Sequence, residues 1–246
     1  MDTQEIIAQC KRLLDAYKKG KLGYMKMPED SSPNFTDENL RLSYFTLPMS
    51  LNYQRDSYKL WDAALKTYDD EEARIVFDIE SSANMPEEQL RTYLVKYKLA
   101  LQPNKHIATW HKISKTILSN WKSIKGLMEY AEYDYLQLRD IVQGKHKKDF
   151  PYISGPKIFN YWCFIVQAYG KIKLKNAEYI EIAPDTHITQ CSVKLGVISQ
   201  EESESFTKEK ISERWREVLK GSGINPIDMH PPLWFWSRNN FQFKLA

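Results

Sequence analysis

Two short segments carry residue types that could do chemistry. The first, Ser154-Gly155-Pro156-Lys157, runs into the aromatic stretch IFNYW. Gly155 lets the backbone turn, and proline suits the first position of a helix, so Lys157 falls in a helix's first turn. Amides there lack an intrahelical acceptor and can hold a phosphate. That end of a helix is also positive and disfavours a cation. Together with burial it would favour the neutral amine, which is a nucleophile. The second segment, Ala183-Pro184-Asp185-Thr186-His187-Ile188, places Asp185 as the N-cap of another helix. Two helix starts thus present one lysine and one aspartate, a nucleophile and a carboxylate that can steady positive charge or take up a proton. Singly, each has a plainer role: a lysine after Gly-Pro carries its charge into solvent, and an aspartate before Thr-His-Ile caps a helix.

The elements that must position this pair are helices. Ile6, Ile7, Cys10, Leu13, Leu14 and Tyr17 follow helical spacing, and Gly20 ends that helix. Segment 20–38 is turn-rich and reads as a loop. Helical patterning returns over 51–68, after Pro86 with Leu90, Tyr93, Leu94 and Tyr97, and after Pro103 with Ile107, Trp110, Ile113 and Ile117. Shorter helices are predicted over 121–130 and 135–142. Helices over 156–169, 186–195, 212–220 and 226–238 complete an all-α chain, with a connection over 171–185 that has room for a short extended piece. The basic run Gly144-Lys145-His146-Lys147-Lys148 precedes the lysine segment, where it reads either as a solvated loop or as phosphate contacts.

The chain has 246 residues, 42% hydrophobic and 13% aromatic, enough for a real core without disulfides or metals. A net charge of +3 permits a polyanionic partner without demanding one. Three scattered cysteines without a CxxC pair exclude a cysteine zinc site and a four-cysteine iron–sulfur cluster, and they suit a reducing compartment. No stretch reaches the roughly 18 apolar residues of a membrane span, and the N-terminus has no apolar signal core. These features predict a soluble, intracellular protein.

Gly155-Pro156-Lys157 at a helix start, then Pro184-Asp185-Thr186-His187-Ile188 ahead of Val193-Lys194-Leu195-Gly196, resembles the helix-hairpin-helix, Gly/Pro-Asp (HhH-GPD) superfamily of DNA glycosylases. The usual hairpin reads L-P-G-V-G-x-K; here Pro151-Tyr152-Ile153-Ser154-Gly155 lacks the first glycine. That departure, and the segment WREVLKGSGINPIDMHPPLWFWSR over 215–238, are similar to the archaeal 8-oxoguanine DNA glycosylase (AGOG) branch.

The resemblance implies one glycosylase-like domain over 1–246, with two helical subdomains flanking a cleft. Subdomain A is expected over about 1–50 plus 200–246, and subdomain B over about 51–199 with the hairpin at 150–157. It implies a bifunctional DNA glycosylase/AP lyase of base excision repair, removing oxidised purine with 8-oxoguanine favoured. Lys157 would form a Schiff base with the sugar, assisted by Asp185, the two meeting in the cleft. Base-binding roles fall to Trp234, Tyr161, Trp61, Gln54, His230 and Asp228, because such enzymes grip an extruded base between flat side chains. Tyr161 lies one turn after Lys157 on the same helix face. DNA contacts fall to Ser154, Gly155, Lys145, Lys147, Lys148, His187 and Arg238. The implied partner is damaged DNA, duplex or single strand, bound by a monomer with no cofactor, metal or membrane. Two alternatives stay open: a same-fold glycosidase for another damaged base or modified nucleotide, and a non-catalytic helix-hairpin-helix DNA-binding protein.

Overall fold

A computed structural model of the chain describes residues 2–245, which are helical with no strand. The chain divides into two units: unit 1 takes the segments up to Lys26 and from Ala177 onward, and unit 2 takes Met27–Asn176. The boundaries fall at 26/27 and 176/177, in place of the expected 50/51 and 199/200. The physical reason is packing: residues 38–46 lie against the middle of the chain, and residues 186–194 lie against its end.

Helix α1 (Thr3–Lys18) opens unit 1. It buries Ile6, Ile7, Cys10, Leu13 and Ala16, the stripe its spacing predicts, and stops where Gly20 turns left-handed at φ 66°.

Unit 2 begins with a 3₁₀ turn, Pro28–Asp30, and then α2 (Glu38–Thr46). Asp37 caps α2 by accepting from the Leu40 amide at 2.7 Å. Arg41 on α2 donates to the Gly170 carbonyl at 3.1 Å, and Trp162 donates to Thr46 at 3.0 Å, so α2 belongs with the middle of the chain. A 3₁₀ turn, Pro48–Leu51, and a short loop lead to α3 (Ser57–Asp69). Next come α4 (Ile79–Asn84), α5 (Glu87–Lys96) and the long α6 (Pro103–Trp121). The α6 stripe of Ile107, Trp110, Ile113 and Ile117 is fully buried, each side chain contributing about 1.5–3 kcal/mol by leaving water. The Trp110 indole donates to the Val76 carbonyl and to Ser82, both at 3.1 Å, so this ring is buried without stranding its N–H. Helices α7 (Ile124–Tyr130) and α8 (Tyr135–Arg139) follow, and α8 continues into a π-helical run, Asp140–Lys145. The hairpin segment then delivers α9 (Pro156–Ala168). The extended piece after α9 amounts to one bridge between Asp134 and Lys175.

Unit 1 resumes with α10 (Thr186–Lys194), α11 (Gln200–Ser205), α12 (Lys208–Leu219) and α13 (His230–Arg238). Cys191 on α10 donates to the Leu233 carbonyl of α13 at 3.1 Å, and Tyr17 of α1 stacks on Phe235 of α13. Among the described residues no helix is long and apolar enough to cross a membrane.

Candidate functional site

The hairpin of unit 2 is anchored by Phe150 and Ile153, both fully buried. The left-handed step of its turn falls on Tyr152, at φ 64°. Gly155 was expected to make the turn, but its φ is −69°, which any residue adopts. Glycine is favoured there because a Cβ would approach the Tyr152 carbonyl to 3.2 Å. A left-handed tyrosine is costly, by about 1–3 kcal/mol, and such outliers cluster at functional sites. Gln143 reaches over from the π-helical run and donates to the Ser154 carbonyl at 3.2 Å, fixing the segment before α9.

Pro156 is the first residue of α9 and Lys157 the second, as the spacing predicts. Lys157 is exposed, so protein burial does not supply the desolvation that was expected to favour a neutral amine. The basic residues Lys145, Lys147 and Lys148 are exposed as well.

One turn along α9, the Tyr161 hydroxyl donates to Glu29 Oε1 at 3.0 Å. Glu29 is 0% exposed, and burial pushes its carboxyl up to about 7, against hydrogen bonding that favours the charged form. The Trp61 indole N–H is turned toward the same carboxyl but misses hydrogen-bond geometry, leaving Trp61 Nε1 and Glu29 Oε2 each without a formal partner. Asp30, next in the turn, accepts from the Tyr169 hydroxyl at 2.8 Å and from the Met27 amide at 2.7 Å. Helix α9 and its C-cap Tyr169 therefore hold the acidic turn through two tyrosines, at buried Glu29 and at exposed Asp30. Trp61, expected to grip a base, is 1% exposed and packs against Tyr44 and Phe45. It is a core residue whose N–H end faces Glu29. Gln54 stands apart on an exposed loop, left-handed at φ 50°.

Unit 1 gathers a second group. Asp185 caps α10 as expected, Oδ1 accepting from the Ile188 amide at 2.9 Å. His187 Nδ1 lies 3.0 Å from Ser237 Oγ, which itself donates to Gln190 Oε1 at 2.9 Å. With the serine proton used, Nδ1 carries the imidazole proton. Burial lowers the His187 pKa, aided by the nearby Arg238 and partly offset by Asp185. The same ring meets Trp234 edge-on at 5.9 Å, and the Arg238 guanidinium sits 4.7 Å above the Trp234 ring. Trp234 is 9% exposed, and Arg238 occupies one of its faces. His230 begins α13 buried, one turn before Trp234, whereas Asp228 is exposed in the preceding 3₁₀ turn.

The predicted residues thus form distinct groups. Asp185, His187, Trp234 and Arg238 are linked within unit 1. Within unit 2, Tyr161 and Trp61 are joined through Glu29, while Ser154, Gly155 and Lys157 line the hairpin and the start of α9. Sequence reasoning missed Glu29, because an acid in Met-Pro-Glu-Asp within a turn-rich stretch looks like any solvated loop acid. No protein-family model matches the chain, and no curated protein matches its sequence.

Proposed function

We propose that this chain is a DNA glycosylase with AP-lyase activity, acting on oxidised purine with 8-oxoguanine preferred. One observation carries the reading: an irregular hairpin, turning on a left-handed Tyr152, delivers Lys157 to the first turn of α9, and the next long helix start is capped by Asp185. The all-helical fold and the clustering of His187, Trp234 and Arg238 beside Asp185 support it.

In this mechanism the neutral Lys157 amine attacks the anomeric carbon, and the base leaves with the bond electrons and takes up a proton. Loss of the amine proton and opening of the sugar give an imine. Abstraction of a proton from the adjacent carbon then expels the 3′ phosphate, which is the lyase step. Asp185 steadies the cationic sugar and accepts the amine proton. The hairpin amides and Lys145, Lys147 and Lys148 hold phosphates, which gives affinity without sequence information.

The test is base release from duplex containing a single 8-oxoguanine. Wild type should release the base and nick the strand, and Lys157→Ala should do neither. Release of a different damaged base would redirect the reading to a same-fold glycosidase. Salt-sensitive binding with no release from any lesion would leave a DNA-binding module and sink the enzyme.

A further inference from the structure

Among its described residues unit 2 has eight non-glycine residues in left-handed backbone, and three of them lie in separate loops here: Gln54 at φ 50°, Lys98 at φ 61° and Tyr152 at φ 64°. They are tied together. Arg55 donates to the Leu99 carbonyl at 2.6 Å and to the Lys98 carbonyl at 2.7 Å, clasping the first loop to the second. Tyr53 lies against Tyr152, ring centroids 5.5 Å apart and tilted by 32°, joining the first loop to the hairpin. Tyr53 is nevertheless 57% exposed, so this aromatic pair contributes little to the core. Left-handed residues recur elsewhere in unit 2, so the feature that marks this surface is the aromatic pair, with Tyr53 facing water.

Charge identifies the ligand's other half. A cleft of about 580 Å³ begins at Gln54, the residue after Tyr53. Arg55, Lys59, Lys66, Lys96 and Lys98 line it, against Asp56 and Asp62. Lys66 pairs with Asp62 and Lys96 with Asp70, while the Asp56 carboxylate caps α3 by accepting from the Lys59 amide. The excess of cations lies next to the Tyr53–Tyr152 aromatic pair. A basic groove that follows phosphates, beside rings on which bases stack, is how proteins hold single strands.

We propose that Tyr53 and Tyr152 stack on a base of an unpaired DNA strand while the lysine-lined cleft beside them takes its phosphates. In its choice of DNA this rests on the function proposed above, but not on the chemistry of Lys157.

The test is binding of a short fluorescein-labelled single-stranded DNA, followed by anisotropy at two salt concentrations. Tyr53→Ala and Tyr152→Gly should each weaken binding about tenfold, the loss expected when one base loses its stacking partner. Glycine at 152 keeps the left-handed backbone, so that variant folds. Lys59→Ala should reduce the steepness of log K against log salt by about 0.7, one phosphate's worth on a single strand. Tyr24→Ala, another exposed tyrosine, should bind as wild type does. Unchanged affinity in both tyrosine variants, or an equal loss in Tyr24→Ala, would overturn the proposal. If base release fails for wild type while both tyrosine variants lose affinity, the glycosylase falls and this surface stands. If base release is intact and the variants bind normally, the glycosylase stands and this surface falls.

Discussion

Glu29 offers a prediction worked from the structure alone. Its carboxyl is fully buried and raised from the ordinary 4.5 to about 7. The folded state therefore holds this proton more tightly than the unfolded chain does. The resulting stability is fully present below pH 4.5, declines above it and is lost once pH rises through 7. At 1.36 kcal/mol per pH unit, the loss is about 3 kcal/mol. Glu29→Gln keeps an acceptor for the Tyr161 hydroxyl and mimics the protonated acid at every pH. The variant should match wild type near pH 4.5 and be about 3 kcal/mol more stable at pH 8, a rise of roughly 6–12 °C in Tm for a chain of this size. Urea unfolding of both proteins at pH 4.5, 6, 7 and 8 measures it. A difference between the two that stays constant with pH, within about 0.5 kcal/mol of extrapolation error, would refute the reasoning. It would mean that water reaches the carboxyl or that Trp61 and Tyr161 already satisfy its charge.

Further predictions concern the hairpin, the cap and the thiols. Tyr152→Val should destabilise by about 1–2 kcal/mol, because a β-branched residue resists positive φ, whereas Tyr152→Gly should not; thermal unfolding of the pair decides. Asp185→Ala should cost about 1 kcal/mol of stability through the lost cap, while Asp185→Asn keeps the cap and loses the carboxylate; base release that survives Asp185→Asn would remove Asp185 from the mechanism. Cys10, Cys163 and Cys191 are fully buried, and burial raises all three thiols, Cys10 to about 12. A thiol reagent should therefore label none of them in the native protein and all of them in urea; rapid native labelling would contradict this.

Most helices were legible because their periodicity was strong and punctuated. Pro86, Pro103 and Pro156 mark the starts of α5, α6 and α9, and Gly20 and Gly196 lie in left-handed turns just after α1 and α10. Helix α2 was not legible: its first residues are polar, and its stability comes from α9 and from the Asp37 cap rather than from a stripe. Helices α4 and α11 span only six residues each, too short to show a period. The predicted helix over 51–68 begins later, at Ser57, because residues before it form the loop that carries Tyr53 and Gln54. At the site, sequence placed Lys157 in the first turn of α9 and Asp185 as a cap, since both follow from local rules. It did not place the left-handed residue, assigning the turn to Gly155 when Tyr152 bears it. Nor could it find Glu29, buried where its turn packs on α3 and meets Tyr161 of α9, or foresee that Arg238 covers one face of Trp234.

The central claim is that the Lys157 amine forms the covalent bond to DNA. Borohydride trapping on duplex containing 8-oxoguanine tests it most directly, with the adduct digested and the modified residue identified by mass. The account predicts a reduced protein–DNA adduct in wild type, mapped to Lys157, and none in Lys157→Ala. An adduct that persists in Lys157→Ala, or one mapped to another lysine or to the N-terminal amine, would contradict it.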